Sequence, residues 1–181
     1  YTAHQAGISF DNIAALVDLG RTISPIFLEE KVLIADVDLW PEISKEEVGK
    51  MAASISHISE LRDAVFDLQR RQIREPGLVA EGRDMTSAVF PDACVKIFLD
   101  VSPEEAARRR HKDEIDRESL ITYEQLVEMM RDRDHRDRNR EYGALKLTLD
   151  SKHIDTSTMS REDVFDQALK YCEEVLNKKD C

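Results

Sequence analysis

Cysteine is scarce in this chain of 181 residues, with three in all, and there is a single tryptophan. Cys94, Cys172 and Cys181 show no metal-ligand spacing, which excludes a zinc-stapled or disulfide-dense scaffold and reads as inert, reduced thiols. No apolar run approaches the ~20 residues a membrane helix needs, and no signal-peptide pattern is present. Internal repeats and low-complexity linkers are absent. The phosphate-cradling pattern G-x-x-x-x-G-K-S/T occurs nowhere. Gly77 and Gly82 have its glycine spacing, but Arg83 and Asp84 follow them, and the residues between are strand-like.

What is there suits one globular domain with a real core and a small insertion. The hydrophobic fraction is 41%, enough for a core, and the charged fraction of 35% keeps the surface soluble. The net charge of −11 speaks against general nucleic-acid binding, which depends on neutralising phosphates. If the chain holds an anion, its arginines must be gathered locally against the overall field.

Helix signals come first. One helix ends near Gly7, and a second spans Asp11–Leu19 with Asp11 or Asn12 at its cap. Residues 22–40 read as extended, a small antiparallel unit turning near Glu29 and Glu30. Ser44, with Glu47 three residues on, predicts a capping box for a helix running towards Ser56. A longer amphipathic helix follows over Ser59–Arg74, with Leu61, Val65 and Leu68 as its buried stripe, and Pro76-Gly77 ends it. Ser102-Pro103-Glu104-Glu105 starts a helix that passes Arg108, Arg109 and Arg110 and dissolves over 111–118. Another covers Tyr123–Arg140, then an irregular stretch over 143–152 and a short strand at Ile154. Ser160 caps a last helix whose stripe is Val164, Phe165, Ala168, Leu169, Cys172, Val175 and Leu176. Strands alternating with helices predict an α/β fold with a parallel sheet.

The segment Gly77–Asp100 organises this reading. Leu78-Val79-Ala80 and Val95–Leu99 read as two strands covered on both faces, with Glu81-Gly82-Arg83-Asp84 turning between them. Ligands of open α/β sheets sit beyond the carboxyl ends of strands, where Arg83 and Asp84 stand. On the residues alone, a local ion pair closing a turn is the simpler reading. The run RDRDHRDRNR at 131–140 is equally open. At 100° per residue, Arg133, Asp137 and Arg140 share one face with Arg136 beside them, while Arg131 and Arg138 face away. Such a helix is either a solvated face laced with i,i+4 ion pairs or a set of arginines that close over phosphates.

The runs GRDM, VFPDA and VKIFLD, with the 131–140 block, resemble the bacterial cytidylate kinases, a branch of the nucleoside monophosphate kinases, and weaker similarity covers nearly the whole chain. The resemblance implies a P-loop-type α/β fold: a parallel sheet flanked by helices, a small CMP-binding insert over 21–57, and a core of 1–20 and 58–181 with a helical lid over about 108–140. It implies phosphoryl transfer from ATP, with Mg2+ on the donor phosphates, to CMP or dCMP in pyrimidine nucleotide metabolism. It also implies a cytoplasmic location, with no nucleic acid or membrane as partner and no protein-held metal. Arg83 and Arg140 would hold the acceptor's phosphate, Arg133 and Asp137 would address the ribose, and Arg109 and Arg110 would be lid arginines. Asp84 would accept from cytosine's amino group and Arg62 would donate to N3 or O2, with Ser54 as a third contact.

Departures from the family pattern set further expectations. Thr86 stands where the family has glycine, a strained position if φ is positive. Ala106 replaces an expected arginine, and Gly143-Ala144-Leu145 replaces alanine-proline-leucine. Tyr1-Thr2 stands where tyrosine-arginine is expected. The resemblance puts the first strand and P-loop upstream of Tyr1, so both are expected to be missing from these residues. The isolated chain is then expected not to transfer phosphate, and either to be unstable or to self-associate. Three other readings are a truncated or divergent nucleotide-binding module without catalysis, a related kinase with another acceptor, and a scaffold that binds no nucleotide.

Overall fold

The computed structural model describes residues 1–28, 30–115 and 121–178. The chain forms two compact units, Tyr1–Val79 and Ala80–Cys181. Among the described residues no helix is long and apolar enough to cross a membrane.

The first unit is a helical core carrying a small antiparallel sheet. Helix α1 (Thr2–Gln5) is followed by Gly7 at φ +67, which turns the chain into α2 (Ile13–Thr22). Asn12 caps α2 by accepting from the Ala15 N–H at 3.1 Å, one of the two caps anticipated. Strands β1 (Ile26–Leu28), β2 (Lys31–Ile34) and β3 (Val37–Asp38) form an antiparallel meander. The expected turn near Glu29-Glu30 joins β1 and β2, with Glu29 outside the described residues. The β2–β3 turn places Ala35 and Asp36 at φ +48 and +63, the paired left-handed geometry of a two-residue hairpin.

Ser44 departs from expectation. A short α3 (Trp40–Ile43) takes Ser44 as its C-cap, and the Ser44 hydroxyl donates back to the Pro41 carbonyl at 3.4 Å. Helix α4 (Glu46–Ile55) therefore starts from Lys45 without a side-chain cap. Helix α5 (Ser59–Arg70) is one turn shorter than expected, and the residues it buries are Ala64 and Phe66, with Val65 exposed.

Ala3, Leu16 and Ile58 form the core of this unit, with Phe10, Leu19 and Leu61 against them. Gly20 sets how closely α2 approaches α5: a Cβ there would stand 3.2 Å from Ala64 Cβ and 3.4 Å from Leu61 Cδ1. The far end of the contact is tied by Arg71, whose guanidinium donates to the Arg21 carbonyl at 3.3 and 3.4 Å.

The second unit holds the parallel sheet. Strands β4 (Ile97–Asp100) and β5 (Lys152–Asp155) pair in parallel, Leu99 beside Ile154 and Asp100 beside Asp155. A parallel pair needs a long crossover, supplied by α6 (Pro103–Ile115) and α7 (Tyr123–Arg138). Residues 116–118 of the expected charged stretch lie outside the described residues. Ser102 caps α6 through the Glu105 N–H at 3.2 Å, and Ala107, Leu126 and Val127 form the α6–α7 core. Buried Lys96 donates to Asp150 Oδ2 at 2.5 Å and to the Pro91 carbonyl, fastening together the segments that enter the two strands. Helix α8 (Arg161–Leu176) opens with a Ser160–Asp163 capping box, as the sequence indicates.

Four expectations are corrected here. Leu78-Val79-Ala80 is not a strand, and Val79 is 100% exposed. An apolar run becomes a strand only when a neighbour pairs with its backbone, and no described strand does so. Strand β4 is not covered on both faces, since Leu99 is 57% exposed while Phe98 is buried. The stripe on α8 is only partly covered: Val164, Ala168, Cys172 and Val175 are half-buried, while Phe165, Leu169 and Leu176 are exposed. Cys94, expected as a reduced thiol beside a buried strand, is disulfide-bonded and sits in an exposed loop; Cys172 is free. Cys181 lies outside the described residues.

The close α2–α5 approach makes position 20 sensitive to volume. Gly20→Val is expected to lower stability by about 1–3 kcal/mol through overpacking, read as a lower urea midpoint at unchanged slope. A midpoint at or above that of the unmodified chain would mean the helices part without cost.

Candidate functional site

The site begins in the loop ahead of a five-residue π-helical turn, Met85–Val89. Single π turns are rare and often sit at functional sites. The Asp84 carbonyl accepts from Ala88 N–H at 2.9 Å and Val89 N–H at 3.1 Å, so the turn is wound tightly against it. Thr86 lies inside this turn and is not among the positive-φ residues, which removes the strain expected of it. Gly82 leaves room for Met85, whose Cε and Cγ would lie 2.8 and 3.1 Å from a Cβ at position 82. The loop thereby presents Arg83 outward and keeps Asp84 buried at 7% exposure.

Helix α7 supplies the other side. Its Thr122–Gln125 capping box fixes the start, and its last turn brings Asp137 inward. Asp137 is 4% exposed. Its carboxylate accepts from Arg83 Nε at 2.5 Å and from Arg140 Nη2 at 2.7 Å, and Arg133 Nε stands 3.9 Å away. The Asp137 carbonyl accepts from Leu145 N–H at 2.8 Å, which ties the loop after α7 to the same residue. Arg83, Arg133, Arg136, Asp137 and Arg140 line an open cleft of about 470 Å³.

Four guanidiniums against one carboxylate leave the cleft with surplus positive charge. The electrostatics of Arg83 reflect this. Partial burial holds its pKa below the ordinary value; Asp137 opposes that shift, while Arg133 and Arg140 add to it. An arginine remains protonated regardless, so the cleft offers fixed cations to an anionic ligand.

The helical-period reading of 131–140 agrees with this geometry. Arg133, Asp137 and Arg140 converge, with Arg136 beside them, while Arg131 turns to Glu104 at 2.5 Å and Arg138 to Asp134 at 2.8 Å. The expected α6 arginines are elsewhere. Arg109 donates to the Thr156 carbonyl at 2.6 Å and to Glu105 at 2.8 Å, so it is held at the end of β5 and does not line the cleft. Arg110 is exposed on α6 and is likewise outside it.

The sequence reading missed Glu105 as an anchor, having used it only as a cap. Its carboxylate takes both Arg108 Nε and Nη2, at 2.6 and 2.7 Å, besides Arg109. The i,i+3 and i,i+4 spacing carried that signal.

Arg62 and Ser54 belong to the first unit. Arg62 lies over the Phe66 ring at 5.5 Å and reaches the Ser56 carbonyl at 3.4 Å. The Ser54 hydroxyl donates to the Met51 carbonyl at 2.8 Å, back onto its own helix.

Comparison with known proteins now decides the family. A family model described as cytidylate kinase matches residues 1–174. The chain belongs to the cytidylate kinase family. It is 39% identical over 173 residues to the cytidylate kinase of Aeromonas salmonicida, covering 93% of this chain and 75% of that protein. It is 37% identical over 174 residues to that of Vibrio vulnificus, covering 94% and 77%. It is 38% identical over 177 residues to that of Yersinia enterocolitica, covering 96% and 76%. Members of the cytidylate kinase family are phosphotransferases acting on nucleotides, and the α/β architecture with its parallel strand pair accords with that.

The double clamp on Glu105 gives a pH signature. Hydrogen bonds from Arg108 and then Arg109 lower its pKa from 4.5 to about 2. Because the folded carboxyl titrates below the unfolded one, the clamp contributes stability above pH 4.5 and loses it as pH falls towards about 2. A carboxyl NMR titration is expected to place the Glu105 midpoint near about 2. Glu105→Gln is expected to remove this contribution to acid sensitivity. A midpoint at the ordinary carboxylate value would mean that the clamp does not persist in solution.

Proposed function

We propose that this cytidylate kinase accepts the γ-phosphoryl group of ATP on CMP or dCMP, and that the cleft at Arg83 receives the acceptor's own phosphate. One observation carries the reading: a buried carboxylate, Asp137, gathers Arg83 and Arg140 beside Arg133 in a cleft with unneutralised positive charge. A phosphomonoester dianion fits that surplus, and guanidinium forks match its oxygens with paired N–H donors. Phosphoryl transfer depends mainly on positioning and on neutralising charge spread over the moving oxygens. Fixed arginines with no nucleophile among them suit that demand.

In this mechanism Arg83 and Arg140 hold the phosphate of CMP and aim its terminal oxygen at the donor. Arg133 and Asp137 address the ribose. Asp84 accepts from the exocyclic amino group of cytosine, with Arg62 as donor to N3 or O2 and Ser54, within an insert over 21–57, as a third contact. Arg109 and Arg110 act from a lid over about 108–140. Arg109 would have to leave Thr156 and Glu105 to reach a nucleotide. Uracil presents an acceptor where cytosine presents its amino donor, so a carboxylate at Asp84 disfavours UMP. A cytoplasmic location belongs to the same proposal.

Magnesium, carried in with the donor nucleotide, would supply charge neutralisation to the transferred group. Among the described residues no group of three or more His, Cys, Asp or Glu is placed to hold a metal ion. The donor cradle G-x-x-x-x-G-K-S/T is likewise not in this sequence, so acceptor binding is the direct test.

Calorimetry with CMP, dCMP, UMP and AMP is expected to rank CMP and dCMP first. Arg83→Ala is expected to weaken CMP binding by about 10- to 100-fold, the scale of a lost charge-assisted hydrogen bond. Asp84→Asn, which both donates and accepts, is expected to narrow the CMP-over-UMP preference by about tenfold or more. A preference for AMP, or an Arg83→Ala variant that binds CMP as tightly as the unmodified chain, would overturn the assignment.

A further inference from the structure

The last turn of α7 is gripped from both sides. Asp137 faces the cleft. Arg138, the next residue, faces away and fastens the same turn to the sheet. Its Nε donates to both carboxylate oxygens of Asp134, at 3.0 and 2.8 Å, and its Nη2 reaches Asp100 Oδ1 at 3.3 Å. Its guanidinium carbon lies 6.0 Å from the Phe98 ring centroid, within cation–π range.

Asp100 is the last residue of β4 and is itself held in place. Its Oδ1 accepts from the Val101 N–H at 3.0 Å, and its Oδ2 lies 3.3 Å from His153 Nε2 on β5. His153 in turn packs edge-on against Phe98 at 5.8 Å between centroids. One guanidinium thus joins the helix end to both strands through a carboxylate and a ring. Asp134, then Asp100, holds the Arg138 pKa above its ordinary value against partial burial, consistent with an engaged cation.

The consequence lies on the other face. Asp137 shares a peptide bond with Arg138, so rotation of this turn would move the carboxylate that gathers Arg83 and Arg140. Helix ends fray readily, and α7 ends at Arg138. We infer that Arg138, through Asp100, is a positioning residue for the acceptor site: it fixes the terminal turn of α7 on the sheet so that Asp137 and Arg140 meet Arg83. This rests on the reading of the cleft as the acceptor-phosphate site. It is a role the 131–140 pattern does not announce, since Arg138 lies on the face turned away from the cleft.

The test compares binding of CMP with binding of cytidine, which lacks the phosphate, in the full chain. Arg138→Ala is expected to weaken CMP about tenfold, within the range of coupling between neighbouring groups, while leaving cytidine affinity unchanged. Arg138→Lys keeps the charge near Asp100 and is expected to recover most of the loss. Asp100→Asn is expected to weaken CMP similarly, and combining it with Arg138→Ala should add little, because the two act through one link. Arg131→Ala, on the same outward side of α7 but tied to Glu104, is expected to bind CMP as before. General loosening of the structure would weaken CMP and cytidine alike, and that result overturns the inference. So does unchanged CMP affinity in Arg138→Ala, or in Asp100→Asn should the alanine variant not fold. Arg83→Ala separates the two layers. If it too leaves CMP binding intact, the phosphate-site reading falls together with the positioning role. If it weakens CMP while Arg138→Ala does not, the positioning role alone is lost.

Discussion

A carboxylate that is nearly sealed from water must be paired, because an isolated buried charge is costly. Asp137 meets that requirement with Arg83 and Arg140, and the same contacts gather guanidiniums that would otherwise repel one another. Removing the carboxylate would leave like charges to splay apart, so the cleft depends on Asp137 as much as on its cations. Much of the second unit serves that position: the π turn that presents Arg83, the capping box that starts α7, and the loop bonded to the Asp137 carbonyl.

The setting makes this local concentration significant. The chain carries a net charge of −11, so an anionic ligand approaching at long range meets repulsion. Within a Debye length of about 8 Å the nearby arginines dominate. Under the proposed reading, a phosphorylated ligand would be selected by a small basic cleft in an otherwise acidic protein.

Local signals in the sequence carried the helices and the arginine face. Asn12, Ser102 and Ser160 cap where their side chains suggest, because a cap needs only neighbours three residues away. Helical period places Arg133 and Asp137 on one face, whereas Arg140, past the end of α7 at Arg138, joins them from the loop by its contact with Asp137. Reading failed where the partner is remote. Leu78-Val79-Ala80 has the composition of a strand, but strand formation depends on a second segment. Ser44 failed for a different, local reason: it has the spacing of a capping box, yet the short helix just before it claims the hydroxyl. Arg109 looked like a mobile lid residue, whereas Thr156, 47 positions along, holds it. Arg138 was legible as pointing away from the cleft, but what it grips could not be read, since Asp100 lies 38 positions earlier. The family resemblance supplied the chemistry, and the comparisons with known cytidylate kinases support it.

The parallel pairing of β4 with β5 also bears on how the chain reaches its folded form. The paired residues are more than fifty positions apart, and closing so long a loop costs chain entropy before any backbone bond is made. The α6–α7 hairpin lies wholly within that loop, with its own small core of Ala107, Leu126 and Val127. Collapse of these two helices first shortens the span the strands must bridge. The arginine cleft, which needs α7 seated on β4 through Asp100, therefore draws on the long-range contact as well as on the local helix pair.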